Sequence, residues 1–173
     1  QSRSSAASDV YKRQQQDDDS KPKFDEELDV WVAPFFMAPI NTKNIHRSNK
    51  LLNHIYGEDF RYNEMWIMGP GEEGKKAAET VAMANPIGGE DAPKPGEGPS
   101  REKRENGNYD ILFCADVDGE VFKASVSGDM DPGYGSTSKM ITESAICLVR
   151  ECQHLDGGIY TPCLLYTSPS PRD

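Results

Sequence analysis

Hydrophobic and polar positions first alternate clearly at Leu28, Val30 and Val32, interleaved with Asp29, Trp31 and Ala33. A period of two reads as a strand. Pro34 ends it, and the apolar run from Pro34 to Ile40 is bracketed by prolines, which fix φ and remove donors. The expectation is an irregular stretch that fills core or walls a pocket. Asn41 and Thr42 then read as N-caps of a helix with Ile45, Leu51, Leu52 and Ile55 on its apolar face. Arg47, Asn49, Lys50 and His54 lie on the other face, and Gly57 stands as the stop. Phe60, Tyr62, Glu64, Trp66 and Met68 alternate with Arg61, Asn63, Met65 and Ile67, predicting a second strand. A second helix is predicted from Glu72 to Ala84, its small residues Ala77, Ala78 and Ala84 suited to close packing on a sheet, with Pro86 closing it.

Residues 85–108 are rich in proline, glycine and charge and read as a long loop. The strongest local signal follows. Tyr109–Val117 and Glu120–Ser127 alternate on either side of Asp118-Gly119, the dipeptide of a type I′ hairpin turn. Gly128 to Gly135 is a glycine-rich bend. Ser136 caps a last helix to about Cys152, with Ile141, Ala145, Leu148 and Cys152 along one stripe. Ile159 to Pro162 reads as the start of a strand or turn. The pattern predicts an α+β fold, with a mixed or antiparallel sheet and packed helices.

Charge narrows the partners. Against 19 basic residues stand 29 acidic ones, a formal net charge of −10. A field of that sign repels phosphate backbones, so no nucleic acid is expected. No apolar run reaches the roughly 20 residues of a spanning helix, and no secretion signal opens the chain. The expectation is an intracellular, cytoplasmic chain, with the membrane periphery left open.

Both ends call for separate treatment. Asp9-Val10-Tyr11-Lys12-Arg13-Gln14 back-translates as GAT GTG TAT AAG AGA CAG. The reverse complement, shifted by one base, encodes Cys-Leu-Leu-Tyr-Thr-Ser, the residues from Cys163 to Ser168. One short DNA element in two orientations accounts for both, and it resembles a transposon end used in sequencing libraries. Residues 1–14 and 163–173 are therefore read as translated adapter without stable packing, residues 15–27 as an acidic lead-in, and residues 28–162 as the domain.

Several motifs invite chemistry and fail it. Gly69-Pro70-Gly71-Glu72-Glu73-Gly74-Lys75 fits G-x-x-x-x-G-K, but Lys76 stands where a phosphate loop needs Ser or Thr for magnesium. Glu72 and Glu73 would also repel phosphate, whereas they suit the first turn of a helix. Asp116 to Glu120 resembles the opening of a calcium loop, yet its glycine comes too early. Cys147 and Cys152, with His154 nearby, lack the C-x₂₋₄-C spacing of zinc sites, and helical geometry would turn the two thiols apart. No metal site is expected. His46 and His54 read as solvated helix residues, and no nucleophile motif accompanies them.

A resemblance supplies what motifs do not. Trp31 to Thr42 with Arg47-Ser48-Asn49, then Tyr56 to Tyr62, resembles the saccharopine dehydrogenase-like oxidoreductases, also called the trans-acting enoyl reductase family. Pro95 to Ser100, Gly133 to Met140 and Gly157 to Pro162 resemble that family's later segments in the same order. The resemblance implies an NAD(P)-dependent oxidoreductase acting on a small-molecule or acyl-type substrate. It implies the C-terminal domain of a Rossmann-type enzyme, because no strand–GxGxxG–helix unit is present. NADP or NAD would then bind the missing N-terminal Rossmann domain, with none bound by the fragment, and a homo-oligomer is left open.

Physical reasoning adds three candidate residues. Reducing an enoyl or imine group needs a hydride on one face, a donor near the developing negative charge and a proton source. Asn41 and Arg47 follow the proline-bracketed run. Tyr134 precedes a helix N-terminus, which favours an anion. The expectation is one pocket bordered by Pro34–Ile40 and Gly128–Gly135, with Asn41 and Tyr134 as its polar fixtures. The plainer reading has Asn41 capping, Arg47 solvated and Tyr134 packing. A different class of function, an interaction or scaffold domain derived from a reductase fold, stands as the alternative.

Overall fold

A computed structural model describes residues 19–84 and 97–165. The fold is α+β, with small antiparallel sheets and packed helices. The described residues form two compact units, one of residues 19–84 and 158–165, the other of residues 97–157.

The first unit is built on a three-stranded antiparallel sheet of β1 (Lys23–Asp25), β2 (Val30–Pro34) and β3 (Met65–Gly69), with β2 in the centre. Val32 pairs Ile67 and Pro34 pairs Met65, with a bulge between Trp31 and Val32. Val32 and Ala33 are buried, and helix α2 (Gly71–Met83) packs over β2 and β3 through the buried Gly74 and Ala78. The small-residue face predicted for this helix is what lets it come so close. A Cβ on Gly74 would stand 2.0 Å from the Gly69 carbonyl oxygen, so no side chain fits there.

Helix α1 (Ala38–Leu51) departs from expectation at both ends. It begins inside the proline-bracketed run, with Pro39 in its first turn, where the missing N–H has no intrahelical partner to lose. Asn41 and Thr42 are therefore helical residues, not caps. The helix stops at Leu51, ahead of Gly57, because Asn53 and His54 both take positive φ. Its buried face is polar: Thr42, His46, Ser48 and Asn49 are buried, while Leu51 and Ile55 are exposed. Asn49 is 0% exposed because it organises the chain reversal, its Nδ2 donating to the Gly57 carbonyl and its Oδ1 accepting from the Tyr56 N–H.

The second unit opens with the short helix α3 (Arg101–Glu105), inside the stretch expected as loop and capped by Ser100. Strands β4 (Tyr109–Val117) and β5 (Glu120–Gly128) form the expected hairpin in unbroken register from Tyr109↔Gly128 to Val117↔Glu120. Asp118 and Gly119 both have positive φ, as a type I′ turn requires. Helix α4 (Gly135–Arg150) follows the bend. The stripe expected to pack is open: Ile141 and Leu148 are exposed. Helix α4 ends before Cys152, so the chain turns and brings the Cys147 and Cys152 Sγ atoms to 3.9 Å, where a continuous helix would have parted them.

In the first unit, α5 (Pro162–Leu165) contacts α1, with Cys163 exposed and Leu164 and Leu165 half-buried, while residues 1–14 and 166–173 of the expected tails lie outside the described residues. The Ser48 and Thr161 hydroxyls meet at 2.6 Å in a buried contact. No helix among the described residues is long and apolar enough to cross a membrane.

Candidate functional site

The polar cluster of the first unit forms where the first turn of α1 faces the residues leading into β3. Asn41, held in the helix by Pro39 and not free as a cap, extends its Nδ2 to the Glu64 Oε2 at 2.8 Å. The Tyr62 hydroxyl donates to Glu64 Oε1, also at 2.8 Å. One half-buried carboxylate thus holds an amide and a phenol at once. Burial, the hydrogen bond to Glu64 and its charge together push the Tyr62 phenol far above its ordinary pKa. Tyr62 therefore stays protonated and serves as a donor, not as a base.

An aromatic row flanks the cluster. Phe60 stacks on Tyr62 at 6.3 Å between ring centroids and meets Tyr56 at 5.4 Å and His46 at 5.8 Å. His46 is buried, not solvated as the sequence suggested, and burial lowers its pKa. Arg47 is also tied down: its Nη2 donates to the Ile159 carbonyl at 3.0 Å, and no acceptor among the described residues faces its buried Nε.

Tyr62 and Glu64 join the cluster although the sequence reading placed them only in a strand. The signal was present in the alternation, since Glu64 is the one charge among Phe60, Tyr62, Trp66 and Met68. A carboxylate on an apolar face needs partners.

Tyr134 belongs to the second unit, whereas Asn41 and Arg47 belong to the first. It is exposed, and its ring lies against Gly98. The neighbouring helix N-terminus already holds an anion. The Asp131 carboxylate accepts from the N–H groups of Gly133, Tyr134 and Gly135, which lowers its pKa, the Gly135 bond contributing most. Beside it, Tyr134, Arg101, Arg104 and Ser138 line an open groove of about 580 Å³, with Arg101 bonded to Glu105 at 2.7 Å.

The turn Gly69–Gly74 does not fit a dinucleotide. The helix begins at Gly71, so no loop remains to wrap a phosphate, and the Gly69 carbonyl occupies the approach to Gly74. Glu72 and Glu73 add negative charge at that helix start. No group of three or more potential metal ligands gathers among the described residues.

Comparison with known proteins follows the same direction as the residue-level resemblance. Over 159 residues the chain is 34% identical to a Mycobacterium tuberculosis protein whose name places it among trans-acting enoyl reductases. That match covers 77% of this chain and 36% of the relative. The trans-acting enoyl reductases of Mycobacterium ulcerans and Mycobacterium bovis are 31% and 30% identical over 151 residues, each match covering 76% of this chain and 36% of the relative. The chain thus spans just over a third of the length of these curated relatives. No family model and no solved structure matches.

Proposed function

We propose that this chain is part of a saccharopine dehydrogenase-like oxidoreductase of the trans-acting enoyl reductase family, which saturates the carbon–carbon double bond of an acyl substrate. The observation that carries the reading is the similarity to the mycobacterial enoyl reductases across 77% of the chain. The ordered run of family-like segments from Trp31 to Pro162 supports it. NADPH or NADH supplies the hydride in such reductions. The described residues offer it no cradle, so its site is assigned to polypeptide outside this chain.

Within this chain, the cluster of Asn41, Tyr62 and Glu64 is the proposed substrate-facing array. Reduction places negative charge on the acyl carbonyl oxygen, and a fixed neutral donor stabilises such charge. The Tyr62 hydroxyl gives its single proton to Glu64, so the donor left for substrate is the second Nδ2 hydrogen of Asn41, whose amide Glu64 holds in place. Arg47, with its spare Nε donor, and Tyr134, in its groove beside Arg101 and Arg104, are secondary candidates. Residues 1–14 and 163–173 are proposed to be translated adapter, which the shared DNA element behind both ends supports. Sequencing the source locus checks it.

The test is to express the complete polypeptide of the source gene and follow NADPH oxidation with an enoyl thioester such as crotonyl-coenzyme A. Turnover is expected. Asn41→Ala should lower it about tenfold or more, in the range of removing one donor to developing charge. Tyr62→Phe, which takes away one of the two partners that hold Glu64, should lower it less, both with melting temperatures within a few degrees of the parent. A complete polypeptide that binds no nicotinamide cofactor and reduces no enoyl thioester would leave the scaffold alternative in possession.

A further inference from the structure

The hairpin of β4 and β5 has two chemically different faces. Residues paired across an antiparallel ladder point to the same side. The register therefore puts Ile111 with Val126, Phe113 with Ala124 and Ala115 with Phe122 on one face. The opposite face carries Asp110 with Ser127, Leu112 with Ser125, Cys114 with Lys123 and Asp116 with Val121. One face is thus apolar over most of its length, and the other is largely polar. Such a pattern belongs to a sheet with water on one side and a packed layer on the other.

Among the described residues no such layer covers the apolar face. Ile111, Phe113, Phe122 and Val126 are between 46% and 51% exposed. Among the described residues the sheet contains only these two strands. An isolated two-stranded ribbon is marginal in water, and a contiguous apolar patch of this kind marks a surface that another element covers. Helix α4 of the same unit is in a similar condition, with an open apolar groove of about 470 Å³ along Ile141, Ala145, Ile146 and Val149.

We propose that the apolar face of the hairpin is a docking surface for the remainder of the parent polypeptide, the part that the relatives possess and this chain does not span. This rests on the proposed membership of a longer reductase chain. Two observations select that occupant. The relatives hold the matched region within chains of which it makes up only 36%, so ample polypeptide exists to supply a layer. A second copy of this chain is the less favoured occupant, because each copy carries a net charge of −10, which opposes self-association.

The experiment compares the 173-residue chain with the complete polypeptide of the source gene, each carrying Phe113→Cys. Iodoacetamide modification is followed by peptide-resolved mass spectrometry. Cys114 is the internal control, since it is exposed and lies on the polar face next in sequence. In the complete polypeptide, the thiol introduced by Phe113→Cys should react about tenfold or more slowly than in the 173-residue chain, as burial against a packed layer requires. Cys114 should react at similar rates in both. Val126→Cys, on the neighbouring strand and the same face, repeats the measurement should Phe113→Cys fail to fold. Equal labelling in both chains overturns the proposal. So does protection already present in the 173-residue chain: concentration-dependent protection would assign the surface to a second copy, and concentration-independent protection to this chain's own residues. A source gene encoding no more than this chain also overturns it. Because no turnover is read, an inactive but protected polypeptide would sink the reductase reading and leave this one standing.

Discussion

Gly74 and Asp131 show how single residues carry local structure in the two units. At Gly74 the constraint is steric, since any Cβ meets the Gly69 carbonyl at 2.0 Å. Gly74→Ala forces the helix away from the sheet, and overpacking of this kind costs about 1–3 kcal/mol. Chemical denaturation of the two proteins measures it, and an unchanged midpoint would disprove the close approach. At Asp131 the constraint is electrostatic. The folded carboxylate has a lowered pKa, so its stabilisation is complete above the ordinary carboxylate range and is lost as the pH falls through the folded value. Asp131→Ala should lower stability at neutral pH by about 1 kcal/mol or less, the low end for a helix-start carboxylate facing solvent. Thermal melts from neutral to acid pH should show the two proteins converging as Asp131 is protonated. A gap that persists in acid would assign the effect to packing.

At the scale of elements, α1 shows best what patterning left out. Its apolar residues are partly exposed, and its buried residues are polar. Thr42 and Ser48 hydroxyls donate to the Ala38 and Asn44 carbonyls at 2.7 and 2.9 Å, so their burial leaves no donor stranded. Asn49 goes further and closes the reversal after the helix through two bonds to backbone. Asn49→Ala should cost about 1–3 kcal/mol, because it removes both bonds and leaves the half-exposed Gly57 carbonyl and Tyr56 N–H without their partner. Amide exchange is the direct measurement: the Tyr56 N–H should lose protection ahead of β2 and β3. If Tyr56 exchanges as in the parent, the reversal is held by something other than Asn49. The hairpin shows the opposite situation. Its alternation, turn dipeptide and register were all readable, because a type I′ turn fixes pairing locally.

For the whole molecule, the prediction concerns the nicotinamide cofactor. Calorimetry on the 173-residue chain should detect no NADPH binding at about micromolar affinity, since the phosphate-cradling backbone of a dinucleotide fold is not offered by Gly69–Gly74. Tight binding would place the nucleotide site within this chain and overturn the assignment to polypeptide outside it. By itself the sequence determined the α+β class, the hairpin with its turn, the close helix on the first sheet and the likeness to the enoyl reductases. Each of these depends on contacts near in sequence or on residue identity in order. Only the tertiary structure decided that Asn41, Tyr62 and Glu64 meet, that His46 and Asn49 are buried, and that Asp131 already fills the helix start beside Tyr134. Those facts depend on which segments come together and which polar groups then find partners, and periodicity along one segment carries no record of its neighbours in space.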